Sequence, residues 1–163
     1  TINNNKISFL ILAVIPRYVR VNLLKTSVDK ATSQFIADGW ELINQEQAKT
    51  ILEKNTTDRN FGKSSNPVFL KVAYTLTVLR GKKFWRDEHL PDLLVFPPST
   101  DFHDHPLLLK GEIVLQDKAS ALAGFVLNPP ADAKTYCIDA CAAPGQKTAQ
   151  LAQSMNNMVC TYY

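Results

Sequence analysis

The residues best suited to chemistry lie together in the segment DACAAPGQKT, positions 139–148. A short, mostly apolar run (YCIDA, 136–140) leads into it, as a central parallel strand would. Small residues follow through Ala143, then Pro144 and Gly145, then a helix-prone stretch from Gln146. Small side chains let a ligand approach the backbone. Gly145 accepts backbone angles that other residues resist. A helix start directs N–H groups at whatever lies before it, and open α/β sheets bind ligands at the carboxyl ends of their strands. The segment therefore reads as a cofactor loop. As residue types alone, it also reads as a tight strand-to-helix turn of any α/β protein. A triphosphate loop does not fit, because GxxxxGK[ST] needs glycine where Gln146 stands, and GxGxxG is absent.

Other chemistry-bearing residues are more dispersed. Residues 1–90 carry 14 Lys and Arg against 8 Asp and Glu, whereas 91–163 carry 4 against 7. A basic front half suits a polyanionic partner through counterion release, and it also suits a solvated face with no partner. Arg17, Arg20, Lys25, Lys82, Lys83 and Arg86, with Tyr18, Phe84 and Trp85, combine basic and aromatic groups. Such a set fits phosphate contact plus base stacking on RNA, or surface charge over core aromatics. Asp101, His103, Asp104 and His105 are expected to form a solvated loop whose side chains cap turns, with no metal. The three cysteines, Cys137, Cys141 and Cys160, form neither a disulfide framework nor a zinc pattern, and suit a reducing compartment.

These residues need a scaffold, and a chain that is 45% hydrophobic and 20% charged can fold into one. PRYVRVN (16–22) alternates as a strand. Ser27 can cap a helix that buries Val28, Ala31 and Phe35, with Gly39 ending it. A second strand is expected at 40–43, completing a small β-α-β start, and a polar helix at 45–54. A loop is expected at 55–66 and buried strand at 67–79. RGKKFWR (80–86) reads as a basic turn, 93–96 as a strand and 99–106 as a loop. Further on come a strand at 112–115 and a helix at 118–127, capped by Asp117 and stopped by Pro129 and Pro130. The strand at 136–140, a helix at about 146–155 and a strand at 158–162 then make one βαβ unit. The apolar run at 7–15 is nine residues, too short to span a bilayer. It suits a buried element or sequence foreign to the domain.

DACAAPGQKT resembles DACAAPGGKT, the cofactor motif of the NOL/NOP/Sun family of RNA cytosine-5 methyltransferases. LQDKAS (115–120) resembles the segment before that motif. PRYVRVN followed by LKT resembles the family's N-terminal RNA-facing subdomain, and LPDLLVFPPSTDFHDHP (90–106) resembles its large-subunit ribosomal RNA branch. Gln146 departs from the usual second glycine. Segments 1–15, 55–78 and 158–163 look foreign to the pattern, as retained non-coding sequence would.

The resemblance implies an α/β fold: an α+β RNA-facing subdomain over 1–106, with a variable insert near 55–78, then a truncated Rossmann-like domain over 107–163. It implies S-adenosyl-L-methionine at Cys141, Ala142, Ala143, Pro144, Gly145, Gln146 and Lys147. It implies an RNA partner, large-subunit ribosomal RNA, with no membrane, in the nucleus or nucleolus. It also implies a thiolate that attacks C6 of an unpaired or flipped cytosine, with a second cysteine assisting release. The family carries these in Pro-Cys and Thr-Cys motifs. No Pro-Cys pair occurs here, and Cys160 precedes Thr161 instead of following it. No catalytic residue is therefore expected in this chain, with weak or absent cofactor binding and no methyl transfer by it alone. An inactive RNA- or partner-binding module is the alternative.

Overall fold

Alternation along residues 17–21 decides how the first sheet is covered. Val19 and Val21 point to one face and Tyr18 and Arg20 to the other, as the twofold repeat of a strand requires. The computed structural model describes residues 16–47, 82–98, 100–132, 134–140, 142–158 and 161–162. Their elements are β1 (Arg17–Val21), α1 (Val28–Ala37), β2 (Glu41–Leu42), β3 (Lys83–Arg86), β4 (Leu93–Phe96), α2 (Pro106–Leu109), β5 (Ile113–Leu115), α3 (Lys118–Leu127), β6 (Cys137–Ile138), α4 (Gln146–Ser154) and β7 (Thr161–Tyr162).

Five strands form one mixed sheet in the order β2-β3-β4-β1-β5. Only the β2–β3 pair is parallel. Val19 lies opposite Leu94 on one side and Leu115 on the other, so apolar residues form a row across the sheet. This face packs on α1 and α2 through Val19, Val21, Ala31, Phe35, Phe84, Leu94, Phe96, Phe102, Leu107 and Ile113. Phe35 stands at the centre, with its ring 4.8 Å from Phe96, 5.7 Å from Phe84 and 5.8 Å from Phe102. Tilted and edge-on pairs at these separations add about 0.5–1.5 kcal/mol each beyond burial. α1 begins where Ser27 Oγ accepts the Lys30 N–H, and the chain turns out of it at Gly39, whose φ is +86°. The opposite face of the sheet carries a smaller cluster, in which Leu90 and Leu93 meet Ala121 of α3, with Tyr18 and Leu122 at its margin. The second sheet is the parallel pair β6–β7, with α4 between its strands in sequence.

Three expectations change. Residues 83–86 form an inner strand, not part of a turn, because Phe84 fills the core against Phe96. Phe84 has no exposed surface and is unavailable for stacking on a base. β1 and β2 do not adjoin, since β4 and β3 lie between them. A division after Pro106 would cut the first sheet, because β5 pairs with β1 through Val19–Leu115 and Val21–Ile113. The chain therefore leaves this sheet only after Leu115. The helix expected at 45–54 starts with a reciprocal cap. Asn44 Oδ1 accepts the Gln47 N–H at 2.7 Å, and Gln47 Oε1 accepts the Asn44 N–H at 2.9 Å. The rest of that helix, the apolar run at 7–15 and the expected elements at 55–79 lie outside the described residues.

Candidate cofactor loop and its seating on the first sheet

β6 ends at Ile138, and the chain reaches α4 through the loop of small residues. Asp139 and Thr148 close the base of this loop. The Thr148 hydroxyl donates to Asp139 Oδ2 at 2.6 Å and lies 3.5 Å from the Ala142 carbonyl oxygen. Gly145, at φ +100°, is the N-cap of α4. A side chain there would be strained by backbone conformation, whatever the space. Ala143 and Pro144 are exposed, while Ala142 and Gly145 are half-buried. Cys141 lies outside the described residues.

The next two residues turn their side chains away from the loop. Gln146 Nε2 donates to the Leu115 carbonyl at 2.9 Å, at the end of β5. Lys147 Nζ donates to Ser120 Oγ in α3 at 2.7 Å. What they offer a ligand is the backbone of the first turn of α4, whose N–H groups have no acceptor within the helix. The leader segment LQDKAS and the loop are thus joined physically, through Leu115 and Ser120.

Beneath α4 lies the largest buried polar group. Arg20 has no exposed surface, and its guanidinium donates to Gln116 Oε1 at 2.6 Å, Gln153 Oε1 at 2.7 Å and the Gln146 carbonyl at 3.3 Å. Gln153 Nε2 in turn donates to Asp92 Oδ2 at 2.7 Å. Burial pushes the Arg20 guanidinium down from its ordinary pKa, and the Asp92 carboxylate opposes that shift. An arginine remains charged at any working pH, so the site holds a buried cation dispersed over amides. The expected RNA contact by Arg20 is therefore corrected. The same alternation that buries Val19 and Val21 beneath α1 sends Arg20 under α4. Sequence reasoning missed this network, and with it Gln116, Gln150 and Gln153. The available signal was the spacing of Gln146, Gln150 and Gln153, which puts three amides on one helix face.

The other expected RNA-facing residues remain at the surface without forming one cluster. Arg17 is exposed at the start of β1, while Lys25 lies beyond the far end of that strand. Lys25 Nζ donates to the Lys110 carbonyl at 2.8 Å, and Lys82 Nζ to the Asp38 carbonyl at 3.2 Å, so each caps a helix end. Lys83 pairs with Glu41 at 3.3 Å and Arg86 with Asp29 at 2.7 Å. Cys137 is buried against Leu151 and Met155, with its Sγ 3.7 Å from Met155 Sδ. His105 accepts the Leu107 N–H on Nδ1 at 3.2 Å, which leaves Nε2 to meet Asp38 Oδ2 at 3.1 Å. His103 Nδ1 lies 2.9 Å from Asp104, and Asp101 Oδ1 accepts the His103 N–H. Among the described residues, no three His, Cys, Asp or Glu side chains gather as a metal would require. No described helix is long and apolar enough to cross a membrane.

Comparison with known proteins fits this geometry. The model of the NOL1/NOP2/Sun domain family member 5 ferredoxin-like domain matches residues 15–66 and 68–116. Its end coincides with the exit from β5. Its spans also take in most of 55–78, which is therefore not foreign to the family pattern as expected. A mouse 28S rRNA (cytosine-C(5))-methyltransferase is 38% identical over 88% of this chain and 25% of its own length. An Arabidopsis thaliana 25S rRNA (cytosine-C(5))-methyltransferase is 36% identical over 86% of this chain and 17% of its own. A Caenorhabditis elegans 26S rRNA (cytosine-C(5))-methyltransferase is 30% identical over 88% and 28%. The chain thus spans between a sixth and a third of the length of these relatives. The crystal structure of PH0851 superposes with a TM-score of 0.58 at 23% identity, covering 99% of this chain and 27% of that one, a likeness of fold. With the sheet, its exit at Leu115 and the matched domain in agreement, the chain belongs to the NOL1/NOP2/Sun domain family, in its member 5 branch.

Proposed function

We propose that this chain supplies the RNA-facing sheet and the cofactor loop of an S-adenosyl-L-methionine-dependent rRNA cytosine-5 methyltransferase acting in the nucleolus. The observation that carries the reading is the loop at 142–145, open at Ala143 and Pro144. It leaves a parallel strand, turns at Gly145 with φ +100°, and enters α4. This arrangement fits the cofactor, because exposed Ala143 and Pro144 leave the loop uncovered and no side chain at 145 blocks the helix start. Ala142, Ala143, Pro144 and Gly145 would hold it, with Gln146 and Lys147 acting through their backbone, and Cys141 completes the set. When bound, S-adenosyl-L-methionine supplies an electrophilic methyl group on sulfonium. The chain's own contribution is to fix that group's location: the Thr148–Asp139 hydrogen bond holds the loop closed at its base.

Chemistry at cytosine C5 needs an accessible thiolate. Among the described residues the one cysteine, Cys137, does not provide one, since it packs under Leu151 and Met155. With no Pro-Cys pair in the sequence, we infer that the chain is a binding part, with no methyl transfer of its own. RNA would be held by Arg17, Lys25, Lys82, Lys83 and Arg86. Incubation of the 163-residue protein with tritiated S-adenosyl-L-methionine and a large-subunit rRNA fragment tests this. Weak calorimetric cofactor binding with no label in RNA is expected; labelled 5-methylcytosine would refute the inactive reading. Arg17→Ala/Lys25→Ala is expected to lower RNA affinity and to reduce the slope of log K against log salt by about 2, if both contact phosphate. RNA affinity with no cofactor binding would support the plain RNA-binding module instead.

A further inference from the structure

Gln146, Gln150 and Gln153 recur at intervals of four and three, so one face of α4 is an amide stripe. Every amide in it is engaged with the first sheet or with α3. Gln146 donates to the Leu115 carbonyl, and its own carbonyl takes an Arg20 N–H. Gln150 Oε1 accepts from Gln116 Nε2 at 3.0 Å, and its Nε2 donates to the Ala121 carbonyl at 2.8 Å. Gln153 Oε1 accepts from Arg20 and from the Leu23 N–H at 3.0 Å, while its amide nitrogen serves Asp92. An apolar face could slide or rotate against the sheet at little cost. Directional bonds at both ends of the helix fix its height and its rotation together.

We propose that Gln146 is a positioning residue. With Arg20 it keys the start of α4, and so the cofactor loop, to the edge of the ferredoxin-like sheet. Glycine at this position could make no such bond, and the Leu115 carbonyl would lose the Gln146 amide. The device gives the departure at 146 a purpose: it couples the loop's position to the sheet that carries the basic residues. This inference rests on the S-adenosyl-L-methionine reading of the loop.

Gln146→Glu is nearly isosteric and replaces the donor with an acceptor that faces a carbonyl. Hydrogen exchange over 142–154 and over 17–21 is measured on the full chain, with calorimetric affinity for S-adenosyl-L-methionine. Exchange at 149–153 is expected to quicken, and the affinity to fall, by about fivefold each, the effect of one neutral hydrogen bond. Exchange over 17–21 should be unchanged. The deficit should narrow as pH is lowered, because a protonated carboxyl at 146 regains a donor; a merely structural defect would show no such recovery. Gln146→Gly, the residue of the family motif, should show the same losses without the pH dependence, and serves if the charged variant misfolds. Unchanged exchange at 149–153 overturns the keying. Faster exchange with unchanged affinity overturns the positioning role. A parent chain that binds no S-adenosyl-L-methionine overturns the cofactor reading and the positioning role together, and the exchange data then decide the keying alone.

Discussion

An arginine with no exposed surface must find in the protein what water gave it. Moving such a cation out of water costs several kcal/mol, and three hydrogen bonds to neutral oxygens plus one neighbouring carboxylate offset much of that for Arg20. Gln116 and Gln153 accept from it beside Asp92, so its loss takes from the buried Gln116 Oε1 its Arg20 donor and from Gln153 Oε1 one of its two. Arg20→Met keeps the aliphatic stem and removes the donors. We expect it to destabilise the chain by about 3 kcal/mol, the range for removing one member of a buried charged network. Urea unfolding followed by circular dichroism should show this as a lower midpoint at unchanged slope. Arg20→Lys should fare little better, because a single ammonium cannot reproduce the fork that reaches Gln116 and Gln153 together. A midpoint within error of the parent in both variants would show that the network contributes nothing net.

At the scale of elements, α3 and α4 come close together at Gly124. A Cβ on Gly124 would lie 2.8 Å from Gln150 Cδ and Oε1. That side chain cannot swing aside, since it is buried and bonded to Gln116 and Ala121. Gly124→Ala gains about 1 kcal/mol of helix propensity. Overpacking costs about 1–3 kcal/mol, and the Gln150 bonds are strained as well. Overpacking should win by about 1–2 kcal/mol, and a thermal midpoint that rises instead would contradict the crossing. This contact illustrates what the sequence could and could not disclose. Helices α1, α3 and α4 and strands β1 and β4 were legible, because caps such as Ser27 and alternation such as RYVRV are local signals. Strand β3 was misread because KKFWR looks basic and turn-like until Phe96 arrives to stack on Phe84. The loop at 142–145, exposed at Ala143 and Pro144, was legible from its small residues. The fate of Arg20 was not, because strand period says only that it opposes Val19 and Val21, and which face α4 covers is a long-range matter. Gln146 stood out as a departure, while its partner Leu115 is 31 positions away.

The whole molecule is unevenly covered. The five-stranded sheet has helices on both faces, whereas the parallel pair β6–β7 has, among the described residues, α4 alone behind it. The consequence is visible at Ile138, which is 81% exposed in the middle of a predicted core strand; separately, Val126 is 77% exposed on α3. Phe125, Leu127 and Tyr136 are exposed beside them in sequence. Large apolar exposure of this kind marks an interaction surface or an aggregation hazard, and a strand edge with open N–H and C=O groups adds a template for pairing. The hydrophobic effect should then drive association between copies, the more so at high salt, where repulsion between positively charged chains is screened. Sedimentation of the 163-residue protein is expected to show weight-average mass rising with concentration. Ile138→Thr/Val126→Lys should restore the monomer without shifting the urea midpoint, because neither side chain contributes to a buried cluster. A parent chain that sediments as a monomer throughout would refute association through these residues.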